Sequence, residues 1–250
     1  MVAETYQDIC VKYENQVATI QLNRPDKLNA IRLQTYGELI AAFKAADISS
    51  ECDLIVVSGK GDHFSAGNDL IDLVGDDHSQ LMGYVQEIFT TVSSLKKVVI
   101  AAVDGVAVGI GTTLLLHCDI VIASHRAKFR VPFVNLGVGP EGGASVLLPL
   151  IIGQKNAREV LLTGRFFSAA EAFDWGLLTR KVDPEDLLKV TTEYIDLLMK
   201  QPQASLIATK ALMRSSHPDV KNIVKRELES FSQLLQTDET RDRIRSFIKS

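Results

Sequence analysis

Apolar positions follow two regimes along the chain, strand-like in the first half and helical in the second. Residues 17–22 (VATIQL) alternate before the Asn23-Arg24-Pro25 break, which predicts a strand running into a turn. Residues 33–46 place apolar side chains at helical spacing, and residues 54–57 are a continuous apolar run between Asp53 and Gly59. Residues 80–95 return to the helical period, followed by strands over 98–103 and 120–123 around a short buried helix. This alternation predicts an α/β fold with a mainly parallel, buried sheet. After Pro149 the pattern becomes helical, with helices expected over 156–162, 169–175, 187–199, 204–214, 220–235 and 240–248. Asp183-Pro184 is the natural joint, dividing a core region, 1–183, from a helical C-terminal region, 184–250. Ile223, Val224, Leu228, Phe231, Leu234 and Leu235 form apolar stripes that must be covered by the chain's own core or by another subunit.

Composition narrows the class. A chain of 250 residues can bury a core without disulfide staples. With 27 basic against 31 acidic residues its net charge of -4 disfavours a general nucleic-acid binder, although a local basic patch for phosphates is compatible with it. Cys10, Cys52 and Cys118 are odd in number and lack CxxC spacing, which argues against disulfides and zinc and for a reducing compartment. The strongest membrane candidate, residues 98–124, contains Asp104, His117 and Asp119, so insertion would be costly. No basic n-region opens the chain, and Ile248-Lys249-Ser250 is not the peroxisomal tripeptide, so the expectation is a cytoplasmic protein.

Three glycine-bearing segments carry the chemistry. Glu141 is the only acidic residue between Ala127 and Arg158, and it stands in LGVGPEGGAS with Pro140 before it and Gly142-Gly143 after it. Such a frame suits an acid or base that must reach a ligand. In FSAGNDL (64–70), Gly67 lets an extended run turn sharply and expose the Asn68 N–H. In DGVAVGIG (104–111), Gly109 and Gly111 frame the entry to a helix expected over 112–117, where the Ile110 N–H has no intrahelical partner. Asn68 and Ile110 N–H together would make a backbone oxyanion hole, assisted by the helix dipole.

These segments, with RPDKLNA (24–30), the PxxxLGVxPxGG-like stretch at 132–143 and LLTGRFFSAAEAFDWGLLTRKV (161–182), resemble the crotonase superfamily of enoyl-CoA hydratases and isomerases over nearly the whole chain. The resemblance implies a crotonase-like spiral of ββα repeats with a helical C-terminal trimerisation region, assembled as a homotrimer or hexamer. It implies oxyanion donors at Asn68 and Ile110, and acyl-CoA binding by Lys27, Leu28, Ala66, Gly67, Asn68, Asp69 and Leu70. Enoyl-CoA hydratases of the superfamily resemble each other in two glutamates, and this chain has Thr113 and Phe133 at those positions. Neither side chain moves a proton as a carboxylate does, so hydration should be lost. The Glu141 frame is similar to that of Δ3,Δ2-enoyl-CoA isomerases, closest to the peroxisomal type, which carry one catalytic glutamate there. The implied activity is the shift of a 3-enoyl-CoA double bond to trans-2-enoyl-CoA in fatty acid β-oxidation, with Phe133 and Leu136 lining a dry acyl pocket and no metal or other cofactor. The alternatives are another crotonase-type thioester-enolate enzyme, a dienoyl-CoA isomerase or an enoyl-CoA hydratase-like one, or a non-catalytic binding protein of the same fold.

Other polar residues read as structural. His63, His117 and His125 lack metal-ligand spacing, Asp69 fits a helix cap, Asp119 a turn or interface, Cys118 and Trp175 packing. Arg243, Arg245 and Lys249 belong either to a solvated helix face or to a CoA phosphate site.

Overall fold

The computed structural model describes residues 6–74, 78–215 and 219–249. In chain order the first half runs β1 (Ile9–Glu14), β2 (Val17–Leu22), α1 (Leu33–Ile48), β3 (Leu54–Gly59), α2 (Ser79–Ser94), β4 (Val98–Val103), β5 (Val106–Val108), α3 (Ile110–Thr113), β6 (Ile120–Ser124) and β7 (Lys128–Arg130). The second half runs α4 (Phe133–Leu136), α5 (Ala144–Ile152), α6 (Gln154–Thr163), β8 (Phe166–Ser168), α7 (Ala169–Asp174), β9 (Arg180–Val182), α8 (Leu187–Met199), α9 (Gln203–Ser215), α10 (Val220–Leu235) and α11 (Asp238–Lys249).

The main sheet has the order β1-β2-β3-β4-β6-β9, antiparallel between β1 and β2 and parallel from β2 onward. Its central strands are apolar on both sides because both faces are covered. On one face Ile20, Ile55, Val57, Val99 and Ala101 join a core with Leu39 and Phe43 of α1 and Ile88 and Phe89 of α2. On the other, Val17, Leu54, Val56, Val98, Ile100 and Ile122 lie under Leu187, Val190, Tyr194 and Ile195 of α8 and Leu206 of α9. A smaller sheet has the order β5-β7-β8, and its strand β5 leads by way of Gly109 into α3.

Several expectations change. α3 starts at Ile110 and not at residue 112, and a short 3-10 turn completes the segment to His117. Pro149 does not end the first regime but lies inside α5, whose buried Leu147, Leu148 and Ile152 hold it in place despite the missing N–H. The α10 stripe is covered by the chain itself: Val224, Leu228, Phe231 and Leu235 are buried, and α10 packs on α2. Only Leu234 of the six stripe residues other than the half-buried Ile223 is left exposed. β1, β7, β8 and β9 escape the sequence pattern, three of them being three residues long. Among the described residues, no helix is long and apolar enough to cross a membrane.

Candidate active site

Two of the glycine segments are laced into one unit. Ser65 N–H donates to the Val106 carbonyl at 3.0 Å, and Val108 N–H donates back to Ser65 at 2.9 Å. The chains then touch so closely that a Cβ on Gly67, which sits at φ +92, would lie 2.7 Å from the Val108 oxygen. Glycine is therefore required there by space and by backbone angle. Ile31 N–H donates to Gly67 C=O at 2.8 Å and Asp69 N–H to Ile31 C=O at 2.9 Å, a parallel bridge that turns the intervening Asn68 N–H to the opposite side. Ile110 is the first residue of α3, so its N–H has no carbonyl behind it in the helix. Two adjoining loop tips thus present N–H groups of the kind that hold an oxyanion. The buried Tyr36 hydroxyl donates to Asn68 Oδ1 at 2.5 Å and fixes that side chain.

Glu141 is 1% exposed, and Thr113 Oγ1 donates to its Oε1 at 3.1 Å. Burial pushes this carboxyl up to about 8, against the lowering effect of the Thr113 hydrogen bond, and the charge of Glu227 pushes the same way as burial. The field of Glu141 also contributes to raising the Tyr36 phenol, after burial, so that hydroxyl stays a donor. A group that holds its proton near neutral pH inside an apolar setting is poised for acid–base work.

Glu227 on α10 was not singled out from the sequence, and it organises the loop. Buried to 6% exposure, its carboxylate accepts from Gly143 N–H at 2.7 Å, Ser145 N–H at 2.8 Å and Ser145 Oγ at 2.5 Å, at the start of α5. Burial raises this carboxyl too, while the three bonds oppose the shift. A sign was available, since Glu227 interrupts the apolar stripe formed by Val224, Leu228 and Phe231. His117 grips the same loop from the other side. Its Nε2 lies 2.8 Å from the Gly142 carbonyl, and burial lowers it to about 4, which leaves the ring neutral and makes Nε2–H the donor.

Gly142 is at φ +73, and a Cβ there would meet the Phe89 ring at 2.5 Å. Gly142 therefore packs against an aromatic ring and does not face open space. Gly142→Ala is expected to destabilise the fold by about 1–3 kcal/mol, read as a lower denaturant midpoint at unchanged slope.

A cavity of about 160 Å³ opens beside these loops, lined by Ala66, Gly67, Asn68, Leu70, Leu73, Val108, Gly109, Arg130, Pro132, Phe133, Leu136, Val138, Phe231 and Phe247. Phe133 and Leu136, the two residues expected to line an acyl pocket, both line this cavity. Glu141 and Ile110 are buried and do not line this cavity; Ile110 directly follows Gly109 and Glu141 comes three residues after Val138, both of which do. Leu28 C=O accepts the Ala66 N–H at 2.9 Å, so the exposed Lys27-Leu28 turn adjoins the Ala66–Leu70 segment. Asp69 pairs with Arg24 at 3.3 Å and accepts from Ile71 N–H at 3.4 Å, a capping and bracing arrangement. Asp119 accepts from Val99 N–H and pairs with Lys210. Arg243 and Arg245 pair with Glu239 and Asp242 on an exposed face of α11, and the Lys249 side chain lies outside the described residues.

A family model described as enoyl-CoA hydratase/isomerase matches residues 12–249. The chain is 29% identical over 249 residues to a crotonyl-CoA hydratase of Syntrophomonas wolfei, covering 98% of this chain and 96% of the relative. It is 34% identical over 232 residues to enoyl-CoA delta isomerase 2 of Rattus norvegicus, covering 90% of this chain and 59% of the relative. The crystal structure of an enoyl-CoA hydratase/isomerase from Pseudoalteromonas atlantica superposes with a TM-score of 0.90 at 31% identity, over 97% of each chain. Both activities occur among the names, so the choice between them falls to the side chains.

Proposed function

The chain belongs to the enoyl-CoA hydratase/isomerase family, and within it we propose that this protein is a Δ3,Δ2-enoyl-CoA isomerase with Glu141 as its one acid–base group. The observation that supports this is the buried Glu141 carboxyl, raised to about 8 and held by Thr113, while Thr113 and Phe133 occupy the two positions where the resemblance calls for hydratase glutamates. Ionised Glu141 takes a proton from C2 of a 3-enoyl thioester. The C2–H electron pair forms a C1–C2 double bond and the carbonyl pair moves onto oxygen, giving a dienolate conjugated with C3–C4, whose oxygen accepts from Asn68 and Ile110 N–H. Glu141 then returns the proton to C4, leaving the trans-2-enoyl thioester. Atoms balance without water. The Ala66–Leu70 segment and the Lys27-Leu28 turn would hold the CoA portion, and Phe133 and Leu136 the acyl chain. The setting we infer is cytoplasmic β-oxidation. Conversion of a 3-enoyl-CoA by the purified protein, followed by the rise of the conjugated 2-enoyl thioester, is the direct test, and no conversion at any chain length would refute it.

In heavy water the product is expected to carry less than one deuterium per turnover at C4. The proton rests on Glu141 only while the dienolate lives, and Phe133, Leu136 and Val138 limit water access during that interval. Full deuteration, measured by mass spectrometry, would contradict return of the proton from a dry, single carboxylate.

We propose further that the enzyme is a homotrimer or a pair of trimers. With the α10 stripe already covered, the apolar side chains left for a subunit contact include Leu188 and Leu197 on α8 and Leu212 on α9, all exposed in the single chain. Light scattering at micromolar concentration should give a multiple of three, and a stable monomer would count against it.

A further inference from the structure

Arg130 is the one charged residue among those lining the cavity, the others including Leu70, Leu73, Phe133, Leu136 and Phe231. Its position is fixed twice over. Nε donates to the Gly164 carbonyl at 2.6 Å, and the guanidinium carbon lies 5.0 Å from the centre of the Phe166 ring. These contacts leave Nη1 and Nη2 without a protein acceptor among the described residues. Arg24, Arg32, Arg126 and Arg165 each hold a carboxylate, whereas none among the described residues pairs with Arg130. Burial lowers its pKa with no acid opposing the shift. A partly buried cation with two free NH2 groups costs stability until an anion completes it, and the planar fork of arginine fits a carboxylate bidentately. A plain hydrocarbon chain offers it nothing.

We propose that Arg130 recognises a carboxylate on the acyl group, so that the preferred substrate is the monothioester of a dicarboxylic acid rather than a simple fatty acyl-CoA. This rests on the cavity being the acyl site of a CoA-thioester enzyme, as read above. Arg130 belongs to the reacting end of that site, because its carbonyl accepts the Gly109 N–H at 2.9 Å, one residue before the donor Ile110. The Lys27-Leu28 turn, where the nucleotide is expected, does not line the cavity.

Calorimetric binding of hexanoyl-, succinyl-, adipoyl- and suberoyl-CoA tests this without turnover. At least one diacid thioester should bind about tenfold or more tighter than hexanoyl-CoA, as a charge-assisted pair allows. The ratio should collapse in Arg130→Met, be partly kept in Arg130→Lys, and shrink with added salt. Hexanoyl-CoA binding as tightly as every diacid thioester, or a ratio unchanged in Arg130→Met, would overturn the proposal. The matching pantetheine thioesters, which lack the nucleotide phosphates, separate the other anion source. If Arg130→Met weakens hexanoyl-CoA and adipoyl-CoA alike and leaves both pantetheine thioesters unaffected, the partner is a CoA phosphate and the proposal falls. A diacid preference in a protein that fails to isomerise any 3-enoyl-CoA would refute the isomerase reading and leave this one standing.

Discussion

Glu141→Gln should lower isomerase turnover by about two to four orders of magnitude, the usual worth of a positioned acid or base. The amide cannot take a proton from C2, yet its oxygen can still accept from Thr113 as Oε1 does at 3.1 Å. Acyl-CoA binding should persist, so the loss falls on kcat and not on KM. Folding should persist as well. A buried carboxyl with Glu227 close enough to raise it is replaced by a neutral group of nearly the same shape. Near-normal turnover in this variant would remove Glu141 from the chemistry.

The wild-type pH profile should carry the same signature. A base acts when ionised, so a carboxyl raised to about 8 makes kcat/KM climb with pH and level off above that value. The sign for stability is opposite. Because the folded pKa lies above the ordinary 4.5, the folded state binds more protons between the two values, and stability falls as pH rises from 4.5 through about 8. Glu141→Gln should flatten both dependences.

Much of the route to this site was legible in the chain because it depends on local pattern. The strand at Val17–Leu22 and the helices at Leu187–Met199 and Val220–Leu235 lie where periodicity puts them, since each buries one continuous stripe or face. The three-residue strands β7, β8 and β9 exist only through their partners, and three residues cannot display a period. At the site, Gly67 and Gly109 announced sharp backbone turns, whereas Thr113 looked like a mere loss of a glutamate. In the fold it becomes the donor to Glu141, a contact between residues 28 apart that no local pattern encodes. Glu227 reaches back more than eighty residues to Gly143 and Ser145. Its presence on an apolar stripe signalled burial but not its partner.

Those two long-range contacts bear on the remaining choice, and the expected result is that the protein hydrates a 2-enoyl-CoA at least about a hundredfold more slowly than it isomerises a 3-enoyl-CoA of equal length. Hydration needs one group to activate water and another to protonate carbon, each worth about 10²–10⁴ when positioned. Thr113 and Phe133 supply neither. Glu227 is the other buried glutamate near Glu141, but both of its oxygens are occupied by Gly143 and Ser145, and taking a proton there would forfeit the bonds that shape the loop. Phe133, lining the cavity, also occupies apolar space that a nucleophilic water would need. The hydratase and the isomerase among the relatives are 29% and 34% identical to this chain, and identity of this order does not decide between the two reactions. Initial rates on matched substrates decide it: a hydratase rate equal to the isomerase rate would mean that a second proton-transfer group acts here, with Glu227 as the first residue to replace.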